Sequence, residues 1–559
     1  MTESGAISGR RLLITLWGVA FLLAAMYLAI GQPVRGARDA WLAGDHESAL
    51  RSLNRWSKLK LRPADYDTLL AAVLLERGDP AAVARLERVA NHEPQLLPLV
   101  NKETVARRLV SIGRYGEFLQ FDSVARQRFE SSELALYRAA AQLGMDRLPE
   151  ATTTFNAIDS GKVETQKYET LRTAIDQRRQ GTFPLVIDRD GRTIATWVMA
   201  NNDLVAVNQD YALLVDSEGG ALTIESHIGR LGTNATLETT LDSTIQRAAL
   251  EALGPYRGSL VAIDTTNNTI LAVANNSGTG PRANLAFSGS NEPGSVVKVL
   301  TGLAAVEQGL PLSELFPMSC EGWVAIEGRQ FFDWARHGTL VDMGEAMAVS
   351  CNVAFGNLGL KLGGERLLAF LRSAGFDGSA DLGLFAVPLG TTKGMPAGDY
   401  DLANLAIGLE QYTMNALHIA MVASSLANGG SMVTPTILRS RRSIMGEPLP
   451  AAEPLPVTRI ASAESTRAIV ETMRRVVESE RGTGRRAVVP GLPIAMKTGT
   501  AGDAVGGFDS VILAFAPADA PRIAIGMIAE DAGPAEFAGA RIAHDFFRIV
   551  EPHIRDKSP

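Results

Sequence analysis

Three short motifs in the C-terminal half of the chain carry residue types that could perform nucleophilic catalysis. They are Ser295-Val296-Val297-Lys298, Ser350-Cys351-Asn352 and Lys497-Thr498-Gly499-Thr500. A serine hydroxyl becomes a competent nucleophile when a neighbouring base takes its proton, and a lysine that is desolvated by a core can act as that base. Together the motifs indicate acyl transfer through a serine ester.

The sequence context of Ser295 distinguishes it from a second serine with the same S-x-x-K spacing. Ser57 heads Ser57-Lys58-Leu59-Lys60, but it lies in a polar helical stretch. Ser295 instead follows Glu292-Pro293-Gly294 and opens the apolar run 296–306. This context predicts that Ser295 lies in the first turn of a buried helix, with Lys298 one turn further on the same face. The N-terminus of that helix adds an N–H group that can stabilise an oxyanion.

The other two motifs could handle the leaving group and the substrate. Ser350 supplies a second hydroxyl for proton relay, and the Asn352 amide could hold a peptide bond. The apolar stretch 492–496 precedes Lys497 and predicts a strand beside the site. There Gly499 would let a substrate backbone come close, and Lys497, Thr498 and Thr500 would favour a carboxylate. The alternatives are a buried, salt-bridged lysine and an ordinary turn.

The bulk composition is that of a folded protein with several domains. The chain has 559 residues, 46% of them hydrophobic and 21% charged, which suggests about three units. A net charge of −7 without a long basic run argues against nucleic acid as the main partner. Cys320 and Cys351 form no C-x-x-C pair, and no two of the seven histidines have H-x-x-x-H spacing. We therefore expect no metal and no cofactor.

The N-terminus carries an apolar segment long enough to cross a membrane. Leu12–Gly31 has 20 residues without a charge, which corresponds to roughly 30 Å of helix. Arg10 and Arg11 precede it, so residues 1–11 are predicted to stay in the cytoplasm and the main body to be exported. The alternative is a cleavable signal peptide with a site near Ala29-Ile30-Gly31, although its apolar core would be unusually long.

Residues 34–180 are predicted to be helical, with glycine-centred breaks at similar spacing. Gly44, Gly78, Gly113 and Gly144 are 34, 35 and 31 residues apart. This spacing resembles that of tetratricopeptide repeats, in which stacked helix pairs share a core and leave a groove for a protein partner. The alternative is an ordinary helical bundle in which glycine ends the helices.

Residues 183–236 are predicted to form a small β-rich linker domain, followed by a large mixed domain at 237–555. The linker strands are expected at 183–187, 194–199, 204–207 and 212–216, with a turn at Asp188-Arg189-Asp190-Gly191. Two apolar runs, 258–264 and 269–274, flank Asn267-Asn268 and predict a buried hairpin. The expected fold class is thus multidomain α+β.

More than half of the chain resembles the transpeptidase domain of penicillin-binding proteins, in which the three motifs occur in this order. The resemblance is closest to monofunctional, class B members, whose D-R-x-G turn is similar to residues 188–191. It implies a serine β-lactamase/transpeptidase-like fold, an antiparallel sheet flanked by helices. The similar segments are 239–246, 258–274, 292–298, 349–355, 425–430 and 514–517.

The resemblance implies a role for each motif residue. The penultimate D-Ala of a peptidoglycan stem peptide would acylate Ser295, with Lys298 as base, and Ser350 would pass the proton to the departing D-Ala. Asn352, Lys497, Thr498, Gly499 and Thr500 would bind this D-Ala-D-Ala substrate or a β-lactam that mimics it. An amine from a neighbouring strand would then resolve the acyl-enzyme and form a cross-link.

The chain departs from the family pattern at three places. Gly408-Leu409-Glu410 stands where Gly-Gln-Gly is common, and Ser510-Val511-Ile512 replaces an aromatic pair. Asp333 stands where relatives often carry the partner of a cysteine at the position of Cys320, so that bridge is not expected. The first two departures concern substrate preference and leave the catalytic motifs intact.

Two other functions remain open from the sequence. Water could resolve the acyl-enzyme, as in a D,D-carboxypeptidase, an endopeptidase or a β-lactamase. The fold could also serve as a non-catalytic scaffold or sensor that recognises cell-wall peptides. The intact motifs argue against that second function.

The motif analysis predicts that labelled penicillin attaches covalently to Ser295. Ser295→Ala should abolish labelling, because the attacking oxygen is lost. Ser57→Ala, which alters the other S-x-x-K, should label like the wild type in the same gel assay. If the folded wild type is never labelled, the enzyme hypothesis fails, and the non-catalytic scaffold or sensor takes its place.

Overall fold

The computed structural model describes residues 36–54 (except 42 and 44), 66–76, 102–125 (except 112), 130–198, 203–216, 222–225, 236–446 (except 411) and 457–555 (except 504 and 506). The chain divides into two compact units. The first comprises residues 1–181 with 442–450, and the second comprises residues 182–441 with 451–559. The predicted membrane span Leu12–Gly31 lies outside the described residues. No helix within the described ranges is both long and apolar enough to cross a bilayer.

The first unit is helical, as predicted. Its core is built from apolar residues of successive helices and includes Met445 from the returning segment. Arg138 lies in this core, where it donates hydrogen bonds to the carboxylates of Asp122 at 2.5 and 3.0 Å and of Glu130 at 2.7 and 2.8 Å. The helices are α1 (His46–Asn54), α2 (Tyr66–Glu76), α3 (Lys102–Ser111), α4 (Tyr115–Ala125), α5 (Ser132–Gly144), α6 (Leu148–Asn156) and α7 (Thr165–Arg179).

Two of the four predicted glycine breaks can be compared with this unit. Gly113, with φ +77°, lies between α3 and α4. Gly144 ends α5, and a Cβ there would lie 2.6 Å from the Tyr115 ring, so glycine permits close packing of α5 on α4. Gly44 and Gly78 fall outside the described residues. Tetratricopeptide-like repetition of these helices therefore stays a prediction.

The second unit begins with strands that were predicted to form a separate linker domain. They are β1 (Thr182–Ile187), β2 (Thr193–Val198) and β3 (Asp203–Ala206), followed by α8 (Ala212–Val215) and β4 (Thr236–Thr239). They do not form a sheet of their own, because β1 pairs in parallel with β4, and β4 pairs with a strand at Leu438–Arg442. The β-rich region is thus joined to the rest of the second unit by backbone hydrogen bonds.

The predicted strand at 212–216 is wrong, because residues Ala212–Val215 form the short helix α8. The Asn208 side chain accepts a hydrogen bond from the Asp210 N–H at 3.0 Å and starts a helical turn that α8 continues. Leu214 and Val215 are buried from this helix. A short apolar run does not distinguish a buried strand from a buried helix.

The remaining elements of the second unit surround a central sheet. The first half contains α9 (Ser243–Leu253), β5 (Gly258–Asp264), β6 (Thr269–Asn276), α10 (Leu285–Ser288), α11 (Lys298–Glu307), β7 (Met318–Cys320), β8 (Trp323–Ile326), β9 (Arg329–Phe332), β10 (Gly338–Leu340), α12 (Met343–Ala348), α13 (Asn352–Leu362) and α14 (Gly364–Ser373). The second half contains β11 (Ser379–Asp381), β12 (Ala386–Pro388), β13 (Thr391–Thr392), α15 (Asp399–Ile407), β14 (Tyr412–Thr413), α16 (Ala416–Ala427), β15 (Ser431–Val433), β16 (Leu438–Arg442), β17 (Val457–Arg459), α17 (Ala463–Glu478), β18 (Ala495–Asp503), β19 (Gly507–Ala516), β20 (Ile523–Ala529) and α18 (Ala538–Arg555).

The central sheet is antiparallel, with strand order β18-β19-β20-β5-β6. The predicted hairpin is confirmed as β5 and β6, and Asn268 in its turn has φ +56°. Alternate residues of each strand enter two different cores. Residues such as Val261 and Leu513 share a core with α11 and α16, whereas Leu260 and Ile512 share one with α9 and α18. The sheet is therefore covered by helices on both faces, which explains its nearly continuous apolar strands.

Helix α16 packs directly on this sheet because Gly526 leaves room for its backbone. A Cβ at Gly526 would lie 2.3 Å from the Ala416 carbonyl oxygen and the Ala420 nitrogen. Residues Ala416–Leu426 are all buried, so the helix is apolar on every side. This helix thus covers the face of the sheet that carries Val261 and Leu513.

Candidate active site

Ser295 lies on a tight turn that leads into a buried helix, as its sequence context predicts. Residues Gly294–Val297 form a 3-10 turn, and α11 continues from Lys298. Gly294 has φ +54°, and a Cβ there would lie 2.6 Å from the Thr500 carbonyl oxygen. Its N–H donates to the Gly408 carbonyl at 3.1 Å. The turn is thus held between β18 and the end of α15.

Ser350 lies in the junction between α12 and α13 with a strained backbone. Its φ is +57°, a left-handed conformation that a residue with a side chain rarely adopts. The Cys351 thiol follows immediately and caps α13 by accepting a hydrogen bond from the Ala354 N–H at 3.3 Å. Such backbone strain persists only where the surrounding structure holds it, and it is concentrated at functional sites.

Lys298 is fully buried and points at this junction. Its Nζ donates to the Ser350 carbonyl oxygen and to Asn352 Oδ1, both at 2.6 Å, and lies 3.4 Å from Ser350 Oγ. Burial lowers the pKa of Lys298 to about 8, because the ammonium loses its hydration, although the nearby Asp333 carboxylate opposes this change. A substantial fraction of the side chain is therefore a neutral amine near pH 8.

Lys497 contacts the Ser350 hydroxyl from the central sheet. It lies on β18, is fully buried, and its Nζ donates to Ser350 Oγ at 2.8 Å and to the Thr498 carbonyl at 2.7 Å. Burial and, secondarily, the charge of Lys298 lower its pKa well below the usual range. Ser350 Oγ therefore lies between two desolvated lysine amines.

The geometry around Ser295 differs in one respect from the predicted pairing. Within the described ranges, Ser295 Oγ has no hydrogen-bond partner, and Lys298 Nζ hydrogen bonds to Ser350 and Asn352 instead. Catalytic hydrogen bonds often shorten only when substrate binds. The structure thus places Lys298 at the site with its amine directed towards the Ser350 junction.

Gly499 performs a different task from the predicted one. A Cβ at this position would lie 2.6 Å from the Pro293 carbonyl oxygen and 3.1 Å from the Val296 side chain. The space that glycine leaves is filled by the Ser295 turn and is not open to a substrate backbone. Gly499 therefore allows β18 to approach the nucleophile.

One cavity of about 330 Å³ collects most of the predicted residues. Ser295, Ser350, Asn352, Thr498 and Thr500 line it, while Lys298 and Lys497 lie buried behind its wall. The other lining residues are Trp334, Leu409, Thr483, Gly502, Phe508, Pro534 and Glu536.

Two of the additional lining residues hold the cavity wall in place. Thr483 Oγ1 shares a hydrogen bond of 2.6 Å with Thr498 Oγ1. The indole N–H of Trp334 donates to the Val349 carbonyl at 3.0 Å, next to Ser350. Thr483 lies between two glycines, a weak local signal that the motif search did not use. Trp334 has no local signal, because only the fold brings it to Ser350.

The segment Gly408-Leu409-Glu410, which departs from the family's Gly-Gln-Gly at its last two residues, contacts the turn that carries Ser295. A Cβ at Gly408 would lie 2.1 Å from the Gly294 carbonyl oxygen, so this glycine is required for contact with the Ser295 turn. The Glu410 N–H donates to Glu292 Oε1 at 3.0 Å, and Leu409 reaches the cavity. Of the two changed residues, Leu409 therefore borders the substrate space.

The Asp188-Arg189-Asp190-Gly191 turn lies outside this cavity. The fully buried Asp188 carboxylate accepts hydrogen bonds from the Asp190 and Arg192 N–H groups and from the Ser243 hydroxyl at 2.5 Å. The turn therefore fastens the β1–β2 hairpin to the start of α9.

Comparisons with known proteins agree with this geometry. The profile of the penicillin binding protein transpeptidase domain matches residues 258–550, more than half of the chain. Peptidoglycan D,D-transpeptidase PbpA of Mycolicibacterium smegmatis is 27% identical over 350 residues, which cover 55% of this chain and 69% of that protein.

Two solved structures are similar in fold. The D,D-transpeptidase domain of a peptidoglycan glycosyltransferase from Eggerthella lenta has a TM-score of 0.59 at 25% identity, over 67% of this chain and 98% of that one. The ceftriaxone acyl-enzyme of penicillin-binding protein A from Mycobacterium tuberculosis has a TM-score of 0.58 at 21% identity, over the same shares. The chain belongs to the penicillin-binding protein transpeptidase family.

Proposed function

We propose that the protein is a penicillin-binding D,D-transpeptidase that cross-links peptidoglycan stem peptides through an acyl-enzyme on Ser295. The observation that carries this proposal is the position of Ser350 Oγ between two buried lysine amines, in the wall of the cavity that Ser295 lines. This arrangement provides a nucleophile, a base and a proton relay at one cavity.

Acylation begins when the Ser295 hydroxyl attacks the carbonyl carbon of the penultimate D-Ala. Its proton passes to the neutral amine of Lys298, and the C–N bond to the terminal D-Ala then breaks. The departing nitrogen takes a proton from Ser350 Oγ, which recovers one from a neighbouring lysine. The pKa values of both lysines are lowered, which suits proton transfer because a lysine with an ordinary pKa stays protonated at neutral pH.

Substrate binding is assigned to the wall of the cavity that β18 forms. Thr498 and Thr500 present hydroxyls there, and the Thr483–Thr498 contact fixes the first of them. The Thr500 hydroxyl also accepts a hydrogen bond from the Ala535 N–H at 3.0 Å. A substrate carboxylate, or that of a β-lactam, would bind these hydroxyls near Lys497, while Asn352 holds the peptide amide.

The sequence also indicates roles for the N-terminal segment and the helical region. We infer that Leu12–Gly31 anchors the protein in the cytoplasmic membrane, with residues 34–555 outside the cytoplasm. The helical region 34–180 is assigned as a tetratricopeptide-like module that recruits a protein partner. Its role is binding, because none of the three catalytic motifs falls within it.

Mass spectrometry of purified muropeptides after incubation with the enzyme tests the reaction. We expect cross-linked dimers together with one released D-Ala per bond formed, because an amine acceptor resolves the acyl-enzyme. Freed D-Ala without dimers would show that water is the acceptor and would contradict the transpeptidase assignment. Unchanged muropeptides from a folded enzyme would contradict catalysis altogether.

Lys298→Ala should slow acylation by labelled penicillin by at least ~10²-fold, because positioned proton transfer contributes ~10²–10⁴ to a rate. The wild-type rate should rise with pH through about 8, where the lysine loses its proton. Lys361→Ala is the matched control, since Lys361 lies on α13 with 54% of its side chain exposed. Near-normal acylation of Lys298→Ala would remove this lysine from the mechanism.

A further inference from the structure

Four potential metal ligands meet behind the Ser350 junction, although they are dispersed in the sequence. Cys320 ends β7, Asp333 and His337 lie in the loop between β9 and β10, and Cys351 caps α13. Their sulfur, carboxylate and imidazole ligand atoms all lie within 4.8 Å of one another. Both cysteines are free thiols. The expectation of no metal considered only ligand spacing along the chain and could not detect this cluster.

We propose that Cys320, Asp333, His337 and Cys351 form a structural zinc site that holds the Ser350 junction in place. This inference goes beyond the proposed function and does not depend on it. Two thiolates, an imidazole and a carboxylate are a ligand set that zinc accepts in tetrahedral geometry. Calcium and magnesium prefer sets made of oxygen alone, so the two sulfurs favour zinc among the common ions.

The distances within the cluster suit one small ion. With Zn–N and Zn–S bonds of about 2.0 and 2.3 Å, tetrahedral ligand atoms lie roughly 3.3–3.8 Å apart. Asp333 Oδ2 lies 2.9 Å from the Cys351 sulfur and 3.3 Å from the Cys320 sulfur, and Asp333 Oδ1 lies 3.3 Å from His337 Nε2. Small movements of the side chains would bring all four atoms onto one ion.

The cluster is closed to solvent and its ligands are oriented by neighbouring groups. The side chains of Asp333 and His337 are 0% and 5% exposed, and both cysteines are fully buried. The Asp333 carboxylate accepts hydrogen bonds from the Trp334 N–H at 2.9 Å and the Val353 N–H at 3.2 Å. The Trp334 ring packs edge-on against His337 at 5.1 Å. Closed, four-ligand sites of this kind are structural rather than catalytic.

The position of the cluster indicates how a bound zinc ion would affect the catalytic site. Cys351 lies between Ser350 and Asn352, the two residues that Lys298 contacts, and Ser350 has the strained φ of +57°. An ion bound to Cys351 would tie this junction to β7 and to the loop before β10. The four residues are therefore positioning residues for the site, because none of them lines the substrate cavity.

The main rival is a disulfide between Cys320 and Cys351. Forming it removes two electrons and two protons from the thiols and requires an oxidant such as a periplasmic thiol oxidase. If the domain lies outside the cytoplasm, as proposed above, metal ligation would keep these neighbouring thiols reduced. The second rival is a metal-free cluster in which both thiols donate hydrogen bonds to Asp333.

Elemental analysis of the full-length chain, purified without chelator, tests the proposal. We expect about one zinc ion per chain, reduced at least ~10-fold by Cys320→Ser and by Cys351→Ser. Cobalt added to the chelator-treated protein should give a thiolate-to-cobalt absorption band that both variants lack. His544→Gln is the control, because His544 pairs with Asp545 on α18, away from the cluster, and should retain full zinc.

Two further measurements use only the wild type, so their outcome does not depend on whether the variants fold or on the proposed function. Chelation of the wild type should lower its melting temperature, and added zinc should restore it, since a ligand that binds only the folded state stabilises that state. A wild type without zinc but with two titratable thiols, or with a Cys320–Cys351 disulfide in non-reduced peptide maps, would overturn the proposal. Penicillin labelling of Ser295 tests the proposed function separately, and neither of these results would change how it is interpreted.

Discussion

The burial of two lysine side chains around one serine hydroxyl is the constraint on which the rest of the site depends. An ammonium group removed from water is unfavourable unless it is paired or gives up its proton. Lys298 Nζ and Lys497 Nζ lie 3.4 and 2.8 Å from Ser350 Oγ, and both side chains are fully buried. At least one of them is therefore driven towards the neutral amine. The fold uses an unfavourable burial to produce a base at moderate pH.

The Ser295 turn, β18 and the end of α15 meet closely beside the two lysines, and glycines permit these contacts. Gly294, Gly408 and Gly499 each lie where a Cβ would come within 2.6 Å of another backbone oxygen. The Ser295 turn is thus clamped between β18 and the end of α15. A larger residue at any of these positions would push the Ser295 turn away from β18 or from the end of α15. The family departures at Leu409 and Glu410 leave the contact of Gly408 unchanged and alter only the residues next to it.

Local features of the site could be predicted from the sequence, whereas contacts between distant segments could not. The Glu292-Pro293-Gly294 breaker before an apolar run correctly placed Ser295 at the start of a buried helix. The β5–β6 hairpin followed from two apolar runs around Asn267-Asn268. In contrast, the Lys497–Ser350 hydrogen bond joins residues 147 positions apart, and the role of Gly499 depends on the turn that packs on it. The cysteine cluster was missed for the same reason, because β7 and α13 bring together residues with no common spacing motif.

Burial, rather than a hydrogen-bonded partner, lowers the pKa of Lys298 to about 8, so that a substantial fraction of the side chain is a neutral amine near that pH. The most direct measurement is an NMR titration of the lysine side chains in the folded enzyme, with the Lys298 signal assigned from its loss in Lys298→Arg. We expect a midpoint near 8 for Lys298. The side-chain signals of exposed lysines in the same spectra serve as the reference for an ordinary lysine. A Lys298 midpoint at or above that of the exposed lysines would contradict the account, because the amine would then be charged whenever the enzyme works.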